Sequence, residues 1–433
     1  LVGDIVTIDE KGWERLTQLQ ETEYIEKPRP MYPQTVSGQE SACIFSVKRA
    51  PYSLTGKGVL VAVIDSSVDY TNAHFRNADG TTRILSLWNQ DWQGEDARPP
   101  VGFRIGTEYS RDEINAALAG AAVLNAPDLS GHGTAVAGIL AGGRLNGFEG
   151  VATEASLLVV KLRSSNGNVF TQSADIMRAV TYALRKADEF NMPLVINLSY
   201  GTVWGAHNGQ SLLERFMDNA AEIGRTSIVV GGGNDGAAGR HYRKKSPADM
   251  TERAELEIGD YEFGVSLHIF YPGQETYAFA LITPQGRVVR IPAQEELFQE
   301  TYDLFTVRAV IAGAKPYTSY AEVFIQLSPT QDILPAGGWE LEIKPVKVLT
   351  GIVDVYLSSS AYSTETTGFI RPESEMTLTV PATAGLVISV GAYSAYLNSY
   401  APFSGRGALG LMPGIGNKPD LVAPGVNVRT VSV

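Results

Sequence analysis

The 433-residue chain contains a single cysteine, Cys43. That excludes any intrachain disulfide, so packing alone must hold the fold. No run of about 18 apolar residues occurs, so nothing reads as a membrane-spanning helix. Basic residues are few: 35 Lys and Arg stand against 47 Asp and Glu, a net charge of −12. A chain of that sign is a poor partner for nucleic acid or anionic lipid. There are no internal repeats and no low-complexity tract, and the sequence opens at Leu1 without a Met. Hydrophobic residues, in contrast, make up 44% and charged residues 19%. That is ample apolar material for a packed core and excludes a mainly disordered chain. At roughly 150 residues per domain, the length predicts more than one unit.

Four zones differ in texture. In the first, Lys11 to Gln20 reads as an amphipathic helix and Glu23 to Glu26 as a strand, before Pro28, Pro30 and Pro33 end regular structure. From about 55 to 240, apolar runs at Val59–Ile64, Leu157–Leu162, Val195–Leu198 and Ser227–Val230 alternate with helical patterns at His132–Ala141, Ser173–Phe190 and Ser211–Ile223. Continuously apolar strands with helices between them predict a mostly parallel sheet covered on both faces. From 243 to 376 the pattern changes to short alternating strands, among them Gly264–Tyr271, Thr276–Ile282, Ala321–Leu327 and Trp339–Ile343, separated by Pro-Gly turns. Long helices are absent there, which predicts an all-β sandwich or jelly roll. Buried-strand texture returns at Gly385–Val390, so the β unit reads as an insertion.

Three motifs carry chemistry. Val61–Asp65 is an apolar strand ending in a carboxylate, where open α/β folds place functional groups. Gly131-His132-Gly133-Thr134 opens a helix of small residues. Gly231-Gly232-Gly233-Asn234 follows another apolar strand, with space beside its backbone and an amide donor. Singly, each also fits a plain role: a cap, a helix start and a turn.

In this order the motifs resemble the subtilisin-like serine proteases. The resemblance implies Asp65 and His132 as the catalytic aspartate and histidine, and Asn234 as the oxyanion-hole donor. It implies that Ser199-Tyr200-Gly201 pairs with the substrate backbone beside Gly231, Gly232 and Gly233, and that Pro419–Gly425 leads toward the nucleophile. The implied architecture is a three-layer α/β protease domain (35–242 and 377–433) with the inserted β-sandwich (243–376). Residues 1–34 are similar to the end of a propeptide cleaved at Gln34-Thr35, which would lie in the cleft as product. The insertion resembles the Csp-type germination proteases, a group that cleaves the precursor of a spore-cortex hydrolase and includes inactive members. Protein or peptide substrates and the chain's own propeptide are the implied partners, with no cofactor and no metal.

The chain departs from the pattern in places. Gly-Thr-Ser, the family's nucleophile motif, does not occur, which predicts a fragment or an inactive homologue serving as sensor or scaffold. Ser67 stands where the family has glycine. His74 and His207 read as loop residues, and His241 and His268 carry no signal. A third reading makes the β unit a binding module displaying Tyr271, Tyr277, Tyr317, Tyr320 and Trp339.

Overall fold

A computed structural model describes residues 39–92, 94, 96–163, 171–292, 297–314, 318–359, 363–407 and 417–433. The predicted N-terminal helix and strand and the Gln34-Thr35 bond lie outside these residues.

The chain first lays down β1 (Leu60–Asp65), β2 (Ile84–Asn89), β3 (Thr107–Ser110), β4 (Ser156–Lys161), β5 (Leu194–Leu198) and β6 (Thr226–Gly231). Five helices are described: α1 (Ile44–Lys48), α2 (Arg111–Leu118), α3 (His132–Ala141), α4 (Ser173–Glu189) and α5 (Leu212–Ala221). Eleven short strands follow, from β7 (His241–Arg243) to β17 (Gly368–Phe369). The chain then returns with β18 (Ile388–Ser394), β19 (Ser399–Tyr400) and β20 (Leu421–Pro424). Among the described residues, β18, β6, β5, β1, β4 and β2 run side by side in parallel, with β3 and β19 antiparallel at the two ends and β20 parallel beside β18.

The reason β1 is apolar throughout is visible in its two faces. Leu60, Ala62 and Ile64 join a core with Ile176, Val180, Leu213 and Met217 from α4 and α5. Val61 and Val63 join a second core with Ile114, Ala137 and Ala141 from α2 and α3. Alternate side chains thus enter alternate layers, and every residue of the strand is buried. The helix-covered, mostly parallel sheet is the predicted α/β fold class. The returning strand starts at Ile388 and not at Gly385, because the Gly385 and Leu386 amides instead donate to Asp218 at 3.2 and 2.7 Å.

The strands from β7 to β17 form two antiparallel sheets of six and five strands. One core, built from Leu256, Ile269, Phe279, Ile325, Trp339, Val355 and their neighbours, joins both. Tyr271, Tyr277 and Trp339 are buried in it, so they form no ligand platform. Tyr320 is half-buried and Tyr317 lies outside the described residues.

The sandwich meets the α/β layers through the loop after β5. Tyr356, on β16 (Asp354–Leu357), lies between two imidazoles, with ring centroids 4.1 Å from His207 and 4.4 Å from His241. Trp204, in the same loop as His207, meets His268 and Phe324 of the six-stranded sheet edge-on.

Candidate active site

Parallel neighbours end on the same edge of a sheet. The order β6-β5-β1-β4 therefore brings Gly231–Asn234, Ser199–Gly201, Asp65 and Lys161 to one carboxyl edge. Asp65 is fully buried there. Its Oδ1 accepts from the Ser66 amide at 2.7 Å and faces His132 Nδ1 at 2.7 Å. The ring must donate at Nδ1 to this carboxylate, so the neutral tautomer carries its lone pair on Nε2. The Asp65 hydrogen bond raises the His132 pKa above the ordinary imidazole value, against the effect of burial, and the charges of Asp65 and Asp128 add to the rise.

His132 is the first residue of α3, and its backbone is presented by a turn with Gly131 at φ 73°, a conformation glycine adopts freely. Asp128 holds that turn. Its Oδ1 accepts from Ser66 Oγ at 2.8 Å and the Gly131 amide at 3.1 Å, and its Oδ2 from the Thr134 amide at 2.8 Å and Thr134 Oγ1 at 2.7 Å. These hydrogen bonds hold the Asp128 carboxyl below the usual carboxylate range, although burial opposes them. The motif reading passed over Asp128. Its signal was local: an Asp four residues ahead of a helix that starts in Gly-His-Gly.

Tyr200 sets its ring edge-to-face with His132, at 6.3 Å between centroids. Ser199 Oγ accepts from Asn197 Nδ2 at 3.0 Å. Gly201 is exposed, as are Gly231 and Asn234, whereas Gly232 is buried and Gly233 half-buried. Between Gly201 and Gly233 lies Thr379, which the sequence did not single out. A Cβ on Gly201 would lie 2.4 Å from Thr379 Oγ1, and one on Gly233 2.5 Å from its Cγ2. Ser67 takes φ 139°, a conformation that side-chain-bearing residues rarely adopt.

The remaining histidines are more enclosed than a loop reading suggests. His74 is half-buried, with Nδ1 2.8 Å from the Gly143 carbonyl and its ring edge-on to Phe148. His207 is wholly buried. His241 is buried with Nε2 2.8 Å from Asp354 Oδ1, and His268 Nε2 meets Glu322 at 2.5 Å. Among the described residues, no group of three or more His, Cys, Asp or Glu could hold a metal ion, and no helix is long and apolar enough to cross a membrane.

A buried carboxylate, an imidazole on a helix start and an adjacent glycine-lined strand edge are the parts of a serine-peptidase fold, and the chain matches the Subtilase family over residues 56–280. It belongs to that family of serine peptidases. It is similar to the Clostridium perfringens CspB protease, whose solved structure superposes with a TM-score of 0.80 at 33% identity, covering 91% of this chain and 80% of that one. It is also similar to a subtilisin of Bacillus sp. (strain TA39), 25% identical over 229 residues, covering 52% of this chain and 46% of the relative. The cell wall-associated protease of Bacillus subtilis (strain 168) is 31% identical over 170 residues, covering 38% and 17%. The chain therefore spans less than half the length of each of these two curated relatives.

Proposed function

We propose that the protein is a serine endopeptidase in which His132 is the general base and Asp65 orients it and stabilises the imidazolium. The observation that carries this reading is the 2.7 Å contact between His132 Nδ1 and a fully buried Asp65. With Nδ1 committed, Nε2 is the nitrogen that takes a proton from a serine hydroxyl and returns it to the leaving amine. Asn234, exposed at the end of the glycine run, is the proposed oxyanion donor, an interaction of about 3 kcal/mol in such enzymes. Ser199–Gly201 and Gly231–Gly233 are proposed to line the substrate from two sides, with a peptide added as a strand. The β-sandwich is proposed as an insertion that stiffens the peptidase. Residues 1–34 are proposed as propeptide, released at Gln34-Thr35.

The finer reading, carried by the resemblance to the Csp type, is cleavage of a spore-cortex hydrolase precursor. The nucleophile motif is not within these 433 residues, so the test uses the full-length protein. A fluorophosphonate probe labels an activated serine and nothing else in a subtilase. Labelling that His132→Ala abolishes is the expected result. A folded full-length protein that takes no label and hydrolyses no peptide would replace the peptidase reading with that of an inactive scaffold.

A further inference from the structure

Three consecutive backbone carbonyls ahead of His132 are each held by one side chain from the carboxyl edge of the sheet. Asn89 Nδ2, at the end of β2, donates to the Asn125 carbonyl at 2.5 Å. Ser67 Oγ, two residues beyond β1, donates to the Ala126 carbonyl at 2.8 Å. Lys161 Nζ, at the end of β4, donates to the Pro127 carbonyl at 2.6 Å. Asp128 comes next, with four hydrogen bonds to the turn (the Gly131 amide, the Thr134 amide and Oγ1, and Ser130 Oγ at 3.3 Å) and a fifth to Ser66 Oγ just beyond β1.

The 125–128 segment is neither helix nor strand; Ala126 and Asp128 are buried and need polar partners from elsewhere, while Asn125 and Pro127 are exposed and are held all the same. The partners come from the strand ends that also fix Asp65. Lys161 stands opposite Asp65 in the β1–β4 register, and Asn89 stands opposite Lys161. The position of the His132 turn is thus referred, carbonyl by carbonyl, to the position of its partner carboxylate.

Ser67 acts at two points of this arrangement. Its hydroxyl holds Ala126, and its own carbonyl oxygen packs where Gly133 lacks a Cβ. Glycine would take the Ser67 backbone conformation freely but has no hydroxyl to offer.

We propose that Ser67 is a positioning residue for the His132–Asp65 pair: its hydroxyl fixes the Asn125–Asp128 segment and, through it, the turn that presents His132. The proposal rests on the reading of His132 as general base. It assigns the hydroxyl, and not the unusual backbone, as the working feature.

The experiment compares Ser67→Gly, Ser67→Ala and Lys161→Met in the full-length protein by two readouts. One is kcat and KM on a peptide substrate. The other is the His132 imidazole titration by NMR, assigned by its loss in His132→Gln. Both Ser67 variants should lower kcat by about tenfold, with KM changed less than about twofold, because the pair is displaced while the cleft is not. In all three variants the His132 midpoint should move from its raised position toward the ordinary imidazole value. Ser67→Gly relieves the backbone, so it folds even if Ser67→Ala does not. Either folded Ser67 variant with wild-type kcat and an unmoved midpoint overturns the proposal. A change in Ser67→Gly that Ser67→Ala lacks does so too, since it would assign the effect to the backbone. An inactive wild-type protein would instead defeat the peptidase reading, while the titration still judges the positioning role.

Discussion

A Cβ placed on Gly133 would lie 1.9 Å from the carbonyl oxygen of Ser67 and 3.0 Å from the Cβ of Asp65. The helix that carries His132 therefore approaches the aspartate strand as closely as backbone permits, and only at a residue without a side chain. Gly133→Ala should force the two apart. The expected cost is about 1–3 kcal/mol of stability, with a loss of peptidase activity larger than the lost folded fraction explains. Denaturant unfolding alongside active-site titration checks this. Alanine at 133 with wild-type specific activity would mean that the approach has no functional weight.

His132→Ala should remove peptide hydrolysis and serine labelling, and Asp65→Asn should lower kcat by about 10⁴ by leaving the wrong tautomer. The pH profile carries a sign. A base works only when neutral, and the Asp65 bond raises the His132 pKa, so the acid limb of kcat/KM should lie above the ordinary imidazole range. Asp65→Asn should move that limb to lower pH. The same raised value makes the pair's contribution to stability full at low pH and lost as pH rises through the folded-state value. An acid limb that ignores the Asp65 substitution would separate the two residues.

Thr379 fills the space between Gly201 and Gly233. If these glycines line the substrate, Thr379→Gly should open room for a larger side chain at the cleavage position. The ratio of kcat/KM for a large over a small residue there should rise by 10-fold or more, the usual effect of a few methylenes in a pocket. A peptide library profiled on both proteins decides it, and an unchanged profile would remove Thr379 from the cleft.

His207 Nδ1 and Nε2 face the carbonyls of Leu378 and Val203. Two acceptors favour the doubly protonated ring, yet complete burial outweighs them and pushes the His207 pKa down to about 4. Beneath Tyr356, Asp354 is held at about 2 by His241 and Arg243 despite its burial. The signs agree. His207 contributes stability above about 6.5 that is lost as pH falls to 4, up to about 3 kcal/mol in all. Asp354 contributes stability that disappears only as pH falls from its ordinary value toward 2. Unfolding free energy measured from pH 7 to 4 should fall, and His207→Gln should flatten that slope. An unaltered slope would place the acid sensitivity elsewhere.

Where the sequence spoke clearly, one interaction dominated. His132–Ala141 reads as a helix from its small-residue run and is one to the residue. The apolar strands β1 and β4 were legible because both their faces are buried, while β5 and β6 alternate buried with more exposed positions and were legible from their Val, Ile and Leu content. Strand β2 was not, since Ser86 and Asn89 interrupt its apolar run; Ser86 bonds Tyr182 and Glu108, and Asn89 reaches Asn125. Helix α2 went unread although Ser110 and Glu113 form a capping box, a signal present in the letters. The enclosure of His207, His241 and Tyr356 had no such signal, because it joins loop and strand positions that periodicity cannot relate.

Strands β6 and β18 are hydrogen-bonded neighbours, with Val229 opposite Ile388, yet the whole antiparallel sandwich lies between them in the chain. To the folding sheet, the sandwich is a loop whose ends must meet. Closing a loop that long costs only slightly more entropy than closing a shorter one, but non-local strand pairings of this kind are expected to form more slowly than local ones. The β6–β18 pairing, and with it the Gly231 end of the carboxyl edge, is therefore expected to close after the sandwich has drawn its own two ends together.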